Sequence, residues 1–192
     1  MRYFLMRSDV GVPSRWFLGL PVDRNGAEID PWTLFCATSI PNEGPYEIPV
    51  RVPGVPLDLT FAALSILVVS SSVAAVLKPL AGNDVQFLPA KIRGHPGDFQ
   101  LVNVLSAFDC VNESLSEIEY WKDPAQPEKM GTYTTFTKLV LRESEIASSH
   151  IFHLIKWHLY PVVSEVVREA IINHGWIGTA FRNLPDLYGD PE

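Results

Sequence analysis

The sequence predicts an α+β fold, mostly antiparallel sheets with a few packed helices, and three observations predict it. Short runs rich in β-branched and aromatic residues recur along the chain without a regular strand–helix alternation. Eight of the sixteen prolines fall in the first 56 residues, where a residue that lacks an N–H and fixes φ suits short strands and turns. Two serine-headed segments, Val68-Val69-Ser70 and Val162-Val163-Ser164, each open an amphipathic helical pattern. With 192 residues and 47% hydrophobic content, the chain suits one domain spanning 1–192, with a β-rich subregion at 1–56 and a main region at 57–192.

Taken in order, Tyr3–Met6, Trp16–Leu20 and Trp32–Cys36 read as strands, and Asp23-Arg24-Asn25-Gly26 as a turn. Leu59–Leu77 then runs nineteen residues without a charge, long enough to cross a bilayer. Ser70, Ser71 and Ser72 interrupt it, Thr60 and Ser65 add polarity, and it has neither an aromatic belt nor a strong basic flank. We read it as a buried strand or turn followed by a helix that starts at a serine, with no stable membrane insertion.

That reading gains from an internal comparison. Counting from Ser70, Val73 lies at +3, Leu77 at +7, Gly82 at +12 and Phe87 at +17; from Ser164, Val167 lies at +3, Ile171 at +7, Gly175 at +11 and Phe181 at +17. A serine hydroxyl can accept a bond from an unpaired first-turn N–H, and the +3 and +7 residues share one helical face. The glycine is expected to supply the left-handed residue that stops each helix before a short strand. Duplication and chance similarity of two helix–strand units both remain open at this point.

Between the two units the pattern is β. Phe99–Leu105, Phe108–Val111, Ile118–Trp121 and Thr132–Leu141 read as strands, Asn112-Glu113-Ser114 as a turn, and Asp123–Gly131, with its two prolines, as an exposed loop. The segment from His150 to His158 reads as a strand ahead of Pro161.

A net charge of −7 opposes the phosphate neutralisation on which nucleic-acid binding depends, so a nucleic-acid partner is not expected. The acidity favours a basic macromolecular partner instead. It is unevenly spread: residues 98–145 hold nine carboxylates against four basic side chains. Two cysteines, Cys36 and Cys110, are too few for a disulfide framework, and Met1–Val12 is broken by Arg2, Arg7 and Asp9 where a secretory signal needs an uninterrupted apolar run. The expected location is cytoplasmic.

Catalytic signatures are missing from the sequence. Gly94-His95-Pro96-Gly97 lacks the lysine and the helix of a phosphate loop, there is no G-x-S-x-G elbow, and no cysteine pair has zinc spacing. His150, His153, His158 and His174 invite a metal or catalytic reading, but on a strand His150 and His153 point to opposite faces. The carboxylates Asp109, Glu113, Glu117, Glu119 and Asp123 invite acid–base chemistry, which needs partial burial, whereas these strand and turn positions read as solvated. They read better as a solvated face or as a patch that steers a basic partner. Trp16, Trp32, Trp157 and Trp176 sit in apolar contexts and read as core; Trp121, beside Lys122-Asp123-Pro124, reads as partly exposed and as an interface anchor. The expectation is therefore no catalytic residue, no metal and no cofactor. A small hydrolase or transferase using the histidines or carboxylates is the alternative.

The order of segments resembles a known family. PLDLTF at Pro56–Phe61 precedes the first VVS helix; VQFLPAKI at Val85–Ile92, FQLVNVLSAFDCVNESLSEIE at Phe99–Glu119 and HIFHL at His150–Leu154 follow. The second VVSEVVREAI unit then leads into HGWIGTAF at His174–Phe181. This succession, over about residues 56–184, is similar to the immunity-protein family numbered eleven in the bacterial polymorphic-toxin nomenclature. Phe99-Gln100 stands where that family often has paired tyrosines, and Trp176 where a small aliphatic residue is more usual. The resemblance implies a cytosolic protein, made beside a toxin gene, that binds and neutralises the toxin's C-terminal domain without enzymatic activity. It carries over no site residue.

Overall fold

The computed structural model describes residues 1–63 and 65–188. Along the chain its strands are β1 (Tyr3–Ser8), β2 (Phe17–Leu18), β3 (Tyr46–Ile48), β4 (Val50–Val52), β5 (Leu59–Ala62), β6 (Ile66–Ser70) and β7 (Val85–Ile92). They continue with β8 (Asp98–Val104), β9 (Ala107–Phe108), β10 (Glu117–Tyr120), β11 (Tyr133–Lys138), β12 (Ile151–Leu154), β13 (Trp157–Ser164) and β14 (Thr179–Asn183). Helix α1 (Ser71–Ala81) joins β6 to β7, and α2 (Glu165–Asn173) joins β13 to β14. With 40% of the described residues in strands and isolated β-bridges and 16% in helices of both kinds, the α+β expectation holds with sheet dominant.

Two five-stranded sheets organise the molecule, in the orders β3-β7-β8-β6-β5 and β14-β1-β13-β12-β9. Their pairings are antiparallel except at one edge of each, where β3 lies parallel to β7 and β9 parallel to β12. The inner orders match. In each sheet a hairpin (β5–β6 or β12–β13) leads into a serine-capped helix, which crosses one strand (β8 or β1) to reach the last (β7 or β14). The spacings seen in the sequence are this shared register. Ser70 faces Phe99 as Ser164 faces Tyr3, and Phe87 faces Val102 as Phe181 faces Met6. Only chain order differs: β8 follows β7 directly, whereas β1 comes from the start of the chain.

The period-2 alternation of the strands accounts for three apolar clusters. Leu67 and Val69 of β6, Val102 and Val104 of β8, Phe4 and Met6 of β1 and Val163 of β13 meet the buried faces of the two helices in a central cluster. Helices α1 and α2 pack against each other there, through Val73 and Leu77 on one and Val167 and Ile171 on the other. The opposite face of the first sheet, with Ile66, Val68, Leu88 and Leu101, is covered by Trp16, Leu34 and Phe35. The opposite face of the second, with Leu5, Phe152 and Val162, is covered by Cys110, Tyr133, Phe136 and Leu139. Sheets covered on both faces need nearly continuous apolar strands, which is why Leu59–Leu77 carries no charge. That segment is divided among β5, β6 and α1, and among the described residues no helix is long and apolar enough to cross a membrane.

Local chemistry sets the helix ends. Ser70 and Ser164 are the N-caps, each accepting the N–H three residues on at 3.4 Å. Gly175 is left-handed, with φ +67°, as expected of a helix stop. Gly82 is not: its φ is −62°. A Cβ there would lie 2.5 Å from the Lys78 carbonyl, so glycine serves a close backbone approach. Just beyond it the buried Asp84 carboxylate accepts the backbone N–H groups of His150 (2.6 Å) and Ile151 (3.3 Å), tying the α1–β7 turn to the start of β12.

Several strands are shorter than the sequence suggests. Trp16–Leu20 contributes only β2, Phe108–Val111 only the last residue of β9, and Thr132–Leu141 only β11. The His150–His158 stretch is two strands, turned at Ile155-Lys156 with Lys156 at φ +74°. Trp32–Cys36 is not a strand. Pro31–Leu34 forms a 3-10 turn, because Asp30 accepts the Trp32 N–H at 3.0 Å and Pro31 supplies the fixed φ of a first helical residue.

Candidate functional site

The acidic residues singled out in the sequence lie on and around the β10–β11 ribbon. Ile118 and Tyr120 of β10 face inward onto the cluster that holds Tyr133 and Phe136 of β11. Alternation therefore turns Glu117 and Glu119 outward, where both are exposed, and Glu117 accepts a hydrogen bond from Thr137 Oγ1 at 3.0 Å. These two carboxylates form one solvated strand face.

The other three are engaged locally. Glu113 accepts the Tyr133 hydroxyl at 2.6 Å, the Lys156 ammonium at 2.9 Å and the Tyr120 hydroxyl at 3.2 Å. The bonds from Tyr133 and then Lys156 hold its carboxyl well below the usual range, at about 2. Glu113 is exposed, in keeping with the solvated position expected of it, and it also latches the ribbon to the β12–β13 turn. Asp109 lies 3.8 Å from Arg142, whose guanidinium also donates to the backbone carbonyls of Asp109 and Val111. Asp123 accepts the Ala125 N–H at 2.9 Å and so shapes its own turn.

Trp121 sits where the ribbon meets the loop, half-buried, with its backbone N–H donated to Thr132 at 2.9 Å. The Lys129 ammonium lies 4.7 Å from the centre of its ring and 6.0 Å from the ring of Trp32. Trp32 is 56% exposed, so reading it as core is overturned; Met130, beside Lys129 in the chain, is 55% exposed. The sequence signal that finds Trp32 is Asp30-Pro31, an N-cap followed by the residue favoured at the first helical position. That start signal projects Trp32 from a turn, whereas a strand reading buries it in a sheet.

The histidines occupy three separate places. His150 shares a hydrogen bond with Ser164 Oγ at 2.8 Å, and His174 stacks on Trp176 at 4.4 Å with its Nδ1 2.7 Å from the Ala170 carbonyl. His153 is buried, its ring 5.7 Å from that of His158 and 6.0 Å from that of Phe35. Burial pushes both imidazoles toward the neutral form, His153 down to about 3. Among the described residues no group of three or more His, Cys, Asp or Glu side chains is placed to hold a metal ion. Burial likewise pushes the Cys110 thiol up to about 11. Clefts of about 220 and 450 Å³ lie beside β1 and at the end of α1, and none of the six acidic or aromatic candidates lines either.

Exposed carboxylates on a strand face and indole rings gathered at a surface are the materials of protein recognition, carried on a strand-dominated α+β scaffold. A family comparison agrees. The model of an immunity protein family, Imm11, matches residues 45–186, and the chain belongs to that family. No curated protein matches the chain.

Proposed function

We propose that this chain is a bacterial immunity protein that binds the C-terminal domain of a cognate toxin in the cytoplasm and neutralises it by stoichiometric occlusion, without enzymatic activity of its own. Membership of the immunity family over residues 45–186 carries this reading. The acidity supports a basic toxin surface: Glu117 and Glu119 are exposed on the outer face of β10, where they add little affinity but draw a cationic partner in. A complex of this kind buries about 1,600 Å² in total.

Co-expression with the cognate toxin domain, sought in the gene next to this chain's, tests the reading. Growth is restored and a one-to-one complex co-purifies; rescue without a complex refutes occlusion. Steering has its own test. Glu117→Lys combined with Glu119→Lys slows association at low salt and flattens its salt dependence, because those two carboxylates are exposed; an unchanged melting temperature shows that losing the Glu117–Thr137 bond leaves the fold intact. An unchanged association rate would place the acidic contribution elsewhere.

A further inference from the structure

We propose that the toxin docks on the surface formed by Trp32, Trp121 and Lys129, seating a cationic patch against the open face of Trp32 and the exposed carboxylates of the same segments. This rests on the toxin-binding reading above and goes beyond it by naming the face. Two regions far apart in sequence converge here: the 3-10 turn of Pro31–Leu34, and the stretch from the end of β10 to the turn of Pro127–Lys129. What they bring together is unusual for a free surface. Trp32 leaves more than half of its area in water although it rests edge-on against the buried Phe35 at 5.9 Å, so it is held in place without being covered. Tryptophans fixed in this way carry a large apolar contact at small entropic cost, the property of interface anchors.

The two rings also define a preference for charge. Each already faces an ammonium, that of Lys129, at 4.7 Å from Trp121 and at 6.0 Å from Trp32. The longer distance is the outer limit for such an attraction, so the Trp32 face is left largely unused. On the same segments Asp30, Glu119, Asp123 and Glu128 are all exposed, against Lys122 and Lys129. A lysine- or arginine-bearing surface is therefore complementary both to the Trp32 face and to the carboxylates these segments carry. A partner with an acidic surface would meet four carboxylates instead.

The experiment uses the catalytically inactivated cognate toxin domain, with affinities measured for the full chain and three variants. Trp32→Ala weakens binding about 30-fold or more, the size of an anchor truncation. Trp32→Phe, which keeps a ring face, recovers most of that loss. Lys129→Gln binds at least as tightly as the unaltered chain, because it removes a like charge. Hydrogen exchange of the unaltered complex shows new protection at 30–35 and 119–131. Unchanged melting temperatures for the Trp32 variants show that the fold is kept. Trp32→Ala binding within about threefold of the unaltered chain overturns the docking face while leaving the immunity reading intact; no complex even with the unaltered chain overturns both. Tenfold weaker binding by Lys129→Gln overturns the cationic partner. A free chain that dimerises through Trp32 overturns the assignment to the toxin.

Discussion

Replacing His153 with glutamine should make the protein more resistant to mild acid. His153 is 3% exposed and lies among Phe35, Leu34, Ile66, Val102 and Pro161, with His158 as its titratable neighbour. Desolvation is the main reason its pKa falls from 6.5 to about 3; the proximity of His158 pushes the same way, and a hydrogen bond to the Tyr160 backbone opposes both. The folded state therefore refuses a proton that the unfolded chain accepts. Above pH 6.5 both states are neutral and the residue has no pH-dependent effect. Below it the unfolded chain gains the proton, and stability falls as pH drops toward the folded value.

With those two pKa values, linkage gives a loss of about 2 kcal/mol between pH 7.5 and pH 5, approaching about 5 kcal/mol below pH 3. Glutamine cannot titrate and can still donate to the Tyr160 carbonyl. Urea unfolding of both proteins at pH 7.5, 6 and 5 reads the effect as the change in the difference between them. The latch at Glu113 does not intrude. Its carboxyl is depressed in the folded state, so its contribution is present above pH 4.5 and is lost only as pH falls toward about 2. His158, also pushed down by burial, is common to both proteins. Stability curves that stay parallel from pH 7.5 to 5 would refute the reasoning, since they would mean that His153 is protonated in the fold or reached by water.

Glu113→Gln removes the charge that holds Tyr133, Tyr120 and Lys156 together; because the carboxylate is exposed and the amide oxygen can still accept a hydroxyl, the cost should be about 1 kcal/mol, read as a melting temperature lower by roughly 2–4 °C. An unchanged melting temperature would show that the latch contributes nothing. Gly178→Ala should be far more damaging than Gly175→Ala: Gly178 sits at φ +118° where a Cβ would run into the Leu59 carbonyl, whereas Gly175, at φ +67°, faces open space. Equal stabilities for the two variants, by thermal melting, would contradict that contact. Ser164→Ala should cost more than Ser70→Ala, because Ser164 is fully buried and serves both the Val167 N–H and His150, while Ser70 is partly open to water. Removing either cap costs about 1 kcal/mol, and the buried one adds the cost of an unpaired polar group.

How much of this was legible follows the range of the interactions. The two helices could be read because their signals are local: a serine, apolar residues at +3 and +7, then glycine. The Asp23–Gly26 turn is local too, with Asp23 accepting the Asn25 and Ala27 N–H groups. The role of β1 could not be read. Tyr3 pairs with Ser164 from the other end of the chain, and nothing in the four-residue apolar run Tyr3–Met6 names its partner. The Glu113 latch was hidden for the same reason, since Lys156 lies 43 residues away. Of the candidate site, the exposure of Glu117 and Glu119 follows from their charge, while the exposure of Trp32 depends on a turn start that an apolar run resembling a strand conceals.

The repeated architecture also says where variation is affordable. In both sheets the hairpin, the capped helix and the strand it crosses face the shared central cluster, and a change there must suit two helices and two sheets at once. The outer faces carry no such double constraint. One is covered by residues from the first third of the chain, the other by residues from the 108–146 region. The covers meet at the Lys129 ammonium, which lies over the rings of both Trp32 and Trp121. The aromatic surface therefore lies where two covers meet, neither of which belongs to the repeated frame. A protein that must match one partner among many gains from placing its contact surface there. Residues on the covers can change size and charge while the central cluster, and with it the register of both sheets, stays as it is.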